Sequence, residues 1–347
     1  MSDVDVLGRI EADVEDGGWR ISGQVFGDAD KLDFYKGLDA WFDLYIGGGW
    51  EAQPRPGLSG HLLPEAWQKT FQTSVAPFSG FTAHQIMKSG RVQGIFFRHV
   101  ASSPANDHQI IDQTYADIVE HVLGISGQYG HCNLVQGVWP EGFMQLNIDS
   151  ANSSAIDEYE MKDGNFWSRL KEIANIDLYY LFVDKRNLLN FTRHPMFGGS
   201  LPASVLTLDD ELLLQPLDIT TRNAERVGQI KLQGATPSGT QITGIYPTDP
   251  TAGPVEIRGG YIASSDAEMD AVAERMYRFE NRSHTVTARI GNGLGLLLEL
   301  LDRLSITYSS AADGISWTTK KFWVHKILVE ILANFNARTT LVLEAEN

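Results

Sequence analysis

Several stretches of the chain carry residue types that could do chemistry. Gly291-Asn292-Gly293-Leu294-Gly295 follows a strand-like run and precedes an apolar one, as a dinucleotide-binding turn does. The fingerprint places its third glycine at position 296, which is Leu296, and another strand begins near Leu304, leaving no room for a crossover helix. This segment reads as a turn between strands. Ser59 and Ser126 each have flanking glycines, in Gly57-Leu58-Ser59-Gly60 and Gly124-Ile125-Ser126-Gly127. Neither is a Gly-x-Ser-x-Gly nucleophile elbow, and Ser126 follows a predicted helix where the elbow precedes one. His121, His131 and Cys132 are the nearest approach to a metal-ligand set, yet no His-x-x-x-His, His-Glu-x-x-His or paired-cysteine spacing accompanies them. His194, next to Pro195, reads as a loop residue. The acidic runs Asp157-Glu158 and Asp209-Asp210-Glu211 have the group type of a glycosidase pair, but that reaction needs two carboxylates facing each other across a sugar cleft. The expectation is a protein with no catalytic residues, no cofactor and no metal.

Composition narrows the class. With 43% hydrophobic and 21% charged residues, the 347-residue chain is globular and long enough for more than one compact unit. Its formal net charge of −16 disfavours tight binding to nucleic acid or to an anionic membrane. The single cysteine, Cys132, excludes an intrachain disulfide and a cysteine-rich zinc site. The run Leu294–Leu301 is too short to span a bilayer, and the acidic start lacks the regions of a signal peptide, so a soluble protein made in a reducing cytoplasm is expected.

The elements that must position these residues are mostly strands. Residues 4–100 read as short strands separated by Gly and Pro. Val4–Val14 and Trp19–Phe26 form a hairpin around Gly17-Gly18. Trp41–Ile46, Phe71–Val75 and Arg91–Val100 are further strands, with a break at Pro54–Gly60. Ser102–Asp107 and Asn147–Ser154 read as linkers. Three helices are predicted. One spans Thr114–Leu123, with Thr114 and Asp117 as a capping box and Gly124 as C-terminal cap. The second spans Phe166–Ala174, capped by Asp163 or Asn165. The third begins at Ser265, boxed with Glu268, and runs through Met269, Val272, Met276 and Phe279. The second leads into a hairpin, Leu178–Val183 and Leu188–Thr192. After a break at Pro195–Pro202, strands are expected at Leu217–Thr221, Val227–Gly234, Ser283–Ile290, Leu304–Tyr308, Lys321–Leu332 and Arg338–Glu344. Residues 237–260 read as a long Pro/Gly surface loop. Strict alternation in the Lys321–Leu332 strand puts Trp323, His325, Ile327, Val329 and Ile331 on one face, opposite Phe322, Val324, Lys326, Leu328 and Glu330.

The order of these elements resembles the tail hub or baseplate hub proteins of bacteriophages and contractile injection systems, the superfamily of the late control protein D group. Three segments carry the resemblance: Asn165–Ala174 running into Tyr179–Asp184; Ala271–Tyr277 followed by His284–Ile290; and Asp302–Tyr308, Gly314 and Phe322–Ile327. The family's closing pattern opens on Gly-Asp, whereas Leu301 precedes Asp302 here. The resemblance implies a mainly β fold with α+β inserts. It would divide the chain into an N-terminal β-barrel domain (1–100), a helical/linker region (101–155), a helix-hairpin insert (156–200) and a C-terminal β-barrel domain (201–347). It further implies a homotrimeric, pseudo-sixfold ring that joins a hexameric tail tube to a threefold central spike or tip. The tape-measure and distal tail proteins are further implied partners, and the implied location is the virion tail or baseplate, after assembly in the host cytoplasm. Which surfaces form subunit contacts is not legible. Two other functions fit the sequence: a carbohydrate-binding or cell-wall-glycan-hydrolysing tail protein, and a distal tail or tube-like component of the same assembly.

Overall fold

The computed structural model describes residues 5–27, 40–46, 55–63, 68–69, 74–92, 94–100, 109–111, 113–123, 145–151, 153, 156, 158–177, 179–193, 201–221, 227–236, 239–262, 265–281, 284–291, 293–312, 314–332 and 337–346. The fold is mainly β, with helices set between the strands.

Both ends of the chain meet in one sheet. Asp5–Asp13 and Gly18–Gly27 form the expected hairpin, with Asp13 opposite Gly18. The first of these strands also pairs antiparallel with Ile315–Ile331, from Gly8 opposite Ile331 to Asp13 opposite Lys326. Beyond that strand lie Ala337–Ala345, His284–Gly291 and Asp218–Thr221. Beyond the N-terminal hairpin lie Ser74–Phe81, Arg55–Leu63 and Ala40–Ile46. Arg303–Ser310 pairs with the first stretch of Ile315–Ile331 and carries Leu206–Leu208 on its other side. Among the described residues this twelve-stranded sheet does not close on itself.

One face of the sheet is the main core. Ile10, Ala12 and Trp19 from the N-terminal hairpin pack with Ile327, Val329, Leu341 and Leu343, and the apolar run folds over them, burying Leu296, Leu298 and Leu300. Strict alternation fails at one point in the central strand. Val324 faces Leu343 and Lys326 faces Val342, so His325 is the extra residue of a β-bulge. A bulge reverses the parity of everything beyond it. Phe322 and Val324 therefore share the core with Ile327 and Val329, all at 0% exposure, while Trp323 is buried on the other side under the Arg303 guanidinium. The expected grouping of Trp323 with Ile327 is corrected accordingly. Leu301, which stands where the family's pattern has glycine, takes φ 65°, the left-handed region that disfavours a bulky side chain. Its side chain is buried in the core and its N–H donates to Val324 O at 2.8 Å, which offsets the strain.

A second core joins the middle of the chain. Helix Phe166–Asp177, helix Tyr115–Leu123 and hairpin Tyr179–Val183/Leu188–Arg193 bury Phe166, Leu170, Ile118, Val119, Leu189 and Phe191 together. Ala83, Met87, Val92, Ile95 and Phe97 belong to this core, so Ile95–Val100 packs with the inserts and pairs with Glu158–Met161, not with the N-terminal strands. Gln145–Ile148 adds to the hairpin in parallel, where a linker was expected. The helix caps are as read. Asp117 N–H donates to Thr114 Oγ1 at 3.2 Å while Thr114 N–H donates to Asp117 Oδ2 at 2.7 Å. Asn165 Oδ1 accepts from Ser168 N–H at 3.0 Å, and Ser265 Oγ from Glu268 N–H at 3.3 Å.

The third core corrects the expected 237–260 loop. Gln241–Tyr246 and Val255–Ile262 are strands flanking Gln229–Ala235, and helix Asp266–Glu280 covers one face through Met269, Val272, Ala273 and Met276. Pro247 and Pro254 stand just outside strand ends, where a missing N–H breaks no ladder bond. Pro56 lies inside Arg55–Leu63, opposite a register shift at Leu44/Tyr45, so the expected break at Pro54–Gly60 is mostly strand. The expected Phe71–Val75 strand lies further on, at Ser74–Phe81. Ser102–Asp107 and Gly124 lie outside the described residues.

Candidate functional site

Among the described residues, the sequence candidates for chemistry do not converge. Gly291 ends a strand and Leu294–Leu297 is a short 3-10 turn, consistent with a turn between strands. Gly295 lies so close to the sheet that a Cβ there would meet Thr339 Cγ2 at 2.4 Å, so its role is close packing. Ser59 sits in strand Arg55–Leu63, opposite Asp43. His121 is half-buried, edge-on to Phe97. Glu158 faces Arg98 at 3.8 Å, and Asp209 Oδ1 accepts from Glu211 N–H within a turn. Ser126, His131, Cys132, Asp157 and His194 lie outside the described residues. Among the described residues no three His, Cys, Asp or Glu are grouped to hold a metal ion, and no helix is long and apolar enough to cross a membrane.

What the fold does assemble is a charged sheet face and a polar junction. On the face opposite the main core, Arg9, Glu11 and Asp13 alternate along one strand, with Arg20 opposite Glu11 and Lys326 opposite Asp13. Lys326 Nζ bonds Glu11 Oε1 at 2.5 Å and Asp13 Oδ2 at 3.0 Å, and these carboxylates raise its pKa. Signs alternate across the strands, so this face carries little of the acidic excess. An open cleft of about 440 Å³ runs beside it, lined by Arg9, Glu11, Arg20, Ser22 and Phe81.

At the hairpin turn, Asp16 receives Arg20 Nη2 and Lys88 Nζ, each at 2.5 Å, and faces His84 Nε2 at 3.5 Å. Burial alone would raise the Asp16 pKa, but hydrogen bonds from His84, Lys88 and Arg20 outweigh it and hold the carboxyl well below the usual range. Burial lowers the His84 pKa more than Asp16 raises it, so the imidazole is neutral at physiological pH. His84 Nδ1 lies 2.9 Å from Thr82 Oγ1, an arrangement like a nucleophilic relay. Thr82 is fully buried, however, and its Oγ1 accepts from Trp19 N–H at 3.1 Å, so no substrate can reach it. This cluster fastens the N-terminal hairpin to helix His84–Ser89.

The junction lies at the other side of Trp19. Glu299 accepts from Trp19 Nε1–H at 2.7 Å, Lys185 N–H at 3.1 Å and its neighbour Leu300 N–H at 3.0 Å. Lys185 Nζ donates to Leu296 O at 3.0 Å and Leu298 O at 3.1 Å. Asn187, at φ 61°, accepts from Ala83 N–H at 2.8 Å, and Val183 N–H donates to Gly17 O at 2.9 Å. The turn of the insert is thus bonded to both chain ends. Sequence reasoning missed Asp16, Glu299 and Asn187 because most of their partners are far away in the chain. The one local signal was a charged residue inside the apolar run Leu294–Leu301.

On the small three-stranded sheet, the face away from its helix exposes Ile257, Val255 and Ile245, with Lys231 between the two isoleucines.

No family model matches the chain, and no curated protein sequence matches it. Solved structures do. The tail protein from Neisseria meningitidis MC58 has a TM-score of 0.66 at 14% identity, covering 99% of this chain and 96% of that one. The 43 kDa tail protein of prophage MuSo2 from Shewanella oneidensis has a TM-score of 0.57 at 11% identity, over 98% and 96%. An E. coli type VI secretion system component, described as similar to bacteriophage T4 tail proteins gp27 and gp5, has a TM-score of 0.52 at 10% identity, over 99% and 74%. The fold is that of these tail proteins, in agreement with the resemblance read from the sequence.

Proposed function

We propose that the protein is the structural hub of a phage tail or injection-system baseplate: a homotrimeric ring joining a hexameric tail tube to a threefold central spike or tip. The observation that carries this reading is end-to-end correspondence with a tail protein, over 99% of this chain and 96% of the other. In this reading the N-terminal and C-terminal parts of the shared sheet curl into two barrel-like units, drawn from the strands of that sheet that lie within residues 1–100 and 201–347. The helical region 101–155 and the helix-hairpin insert 156–200 lie between them. Three copies then present six similar units, which matches a sixfold tube while keeping a threefold remainder for the spike. The work is interface burial and symmetry adaptation, without catalysis, in the tail or baseplate of a particle assembled in the host cytoplasm. Tape-measure and distal tail proteins are further partners.

Light scattering coupled to size-exclusion chromatography, with class averages from electron microscopy, tests the proposal. A trimeric ring that binds tube or spike protein is expected. A stable monomer that forms no ring and binds neither overturns it.

A further inference from the structure

We propose that Glu299 is a protonation-dependent latch that sets how firmly the helix-hairpin insert seats on the sheet built from the two chain ends. The inference is independent of the hub reading.

The geometry is that of a shared fastening. Two of the N–H groups that reach the Glu299 carboxylate come from segments far apart in the chain: the Trp19 indole of the N-terminal hairpin and the Lys185 amide of the insert's turn. The third is Leu300, on its own loop. Among the described residues no cation forms an ion pair with this carboxylate, since Lys185 Nζ is directed to the Leu296 and Leu298 carbonyls. A part-buried carboxylate held only by neutral donors resists ionisation, because N–H dipoles replace only part of the lost hydration.

The charged groups around it act unequally. From the insert, Asp184 adds repulsion, while Arg186 and Lys185 act mainly on Asp184. From its own loop, Asp302 Oδ2 accepts the Glu299 N–H at 2.7 Å. The N-terminal hairpin contributes the uncharged Trp19 indole. Burial dominates, Asp184 adds to it, and the three N–H donors offset only part, so the carboxyl is pushed up to about 7.

The sign follows from linkage. A carboxyl whose pKa is raised in the closed junction binds its proton more tightly there than when opened to water. Closure is therefore favoured at low pH and weakens as pH rises from the ordinary carboxyl value to the closed value. With 4.5 for the opened group and about 7 for the closed one, the opening equilibrium should rise roughly 30-fold between pH 5.5 and 8.5. Bonds without a titrating group, Val183 N–H to Gly17 O and Ala83 N–H to Asn187 Oδ1, keep the insert attached throughout.

The test uses the full chain. The ¹⁵N-labelled Trp19 indole resonance is followed from pH 5.5 to 8.5, together with hydrogen exchange at the Lys185 amide corrected for its intrinsic pH dependence. A Trp19 titration near neutrality, with a rise of about 30-fold in Lys185 opening, both absent in Glu299→Gln, is the expected result. An indole resonance that is flat with pH, or that titrates identically in Glu299→Gln, overturns the latch. Should Glu299→Gln fail to fold, Trp19→Phe removes one donor to the ionised form and moves the Lys185 midpoint upward. An unchanged midpoint in that variant overturns the proposal equally.

Discussion

Replacing Gly295 with alanine isolates one packing contact between the apolar loop and the sheet. The glycine has no left-handed backbone to protect, so the effect is steric. An added Cβ would lie 2.4 Å from Thr339 Cγ2, 3.0 Å from Thr339 Oγ1 and 3.1 Å from Val329 Cγ2. Thr339 and Val329 are both fully buried, so neither has open space to retreat into. Overpacking of this kind costs about 1–3 kcal/mol. Displacing Thr339 also breaks the Gly295 N–H to Thr339 Oγ1 bond of 3.2 Å, worth about 1 kcal/mol. Alanine recovers about 0.4–1 kcal/mol by restricting the unfolded chain, leaving a net loss of about 1–3.5 kcal/mol. With a urea slope of about 3 kcal/mol/M, the unfolding midpoint should fall by roughly 0.3–1.2 M. Thr339→Ser removes the clashing methyl, so the double variant should recover at least half of the loss, a coupling of about 0.5 kcal/mol or more. Urea titrations followed by circular dichroism and tryptophan fluorescence measure all four proteins. Strict additivity of the two substitutions, or an unmoved midpoint in Gly295→Ala, would refute the close-packing argument.

Ile327→Asp should abolish both folding of the shared sheet and assembly, because the carboxylate would enter a site of 0% exposure among Ile10, Val329 and Leu341, a loss of several kcal/mol. A variant with native circular dichroism and native assembly would show that the core face is misassigned. Asp16→Asn should change the acid limb of stability. The depressed Asp16 pKa contributes stability that is present above the ordinary carboxyl value of 3.8 and is lost as pH falls through the folded value. The variant should melt lower at pH 6 and decline less between pH 4 and 2, and parallel melting curves would argue against the cluster. Ser265→Ala should cost about 1 kcal/mol, read as faster hydrogen exchange at the Glu268 amide, which donates to Ser265 Oγ in the native protein. Unchanged exchange there would mean the cap is not stabilising.

Local physics was readable from the sequence. The boxes at Thr114/Asp117 and Ser265/Glu268 are contacts three residues apart, and the hairpin at Gly17-Gly18 needs only a turn between alternating runs. The bulge at His325 was not readable, because it is set by the register of Val324 and Lys326 against a neighbouring strand. Strands beside Pro247 and Pro254 are not legible in the sequence, because proline frequency says nothing about which side of a strand end it occupies. Leu301 is a further case. Its departure from the Gly-Asp pattern of the resembled hub proteins left the turn unread, and the structure finds that position in the glycine-favouring region. The polar junction could not be found from spacing, since Trp19, Lys185 and Glu299 come together only after both chain ends and the insert have met.

The pairing of Gly8 with Ile331 has a consequence for biogenesis. The first strand leaves the ribosome well before the strand that will cover its free edge. At about 5–20 residues per second the interval is roughly 15–65 seconds. During that time the N-terminal hairpin has its Gly18–Gly27 partner but presents an open row of amides and carbonyls along Gly8–Asp13. Such an edge invites pairing with another nascent chain. Its alternating Arg9, Glu11 and Asp13 side chains oppose that, since charged side chains along an edge strand disfavour edge-to-edge pairing. The same charges that line the finished face therefore also protect the unfinished one during synthesis.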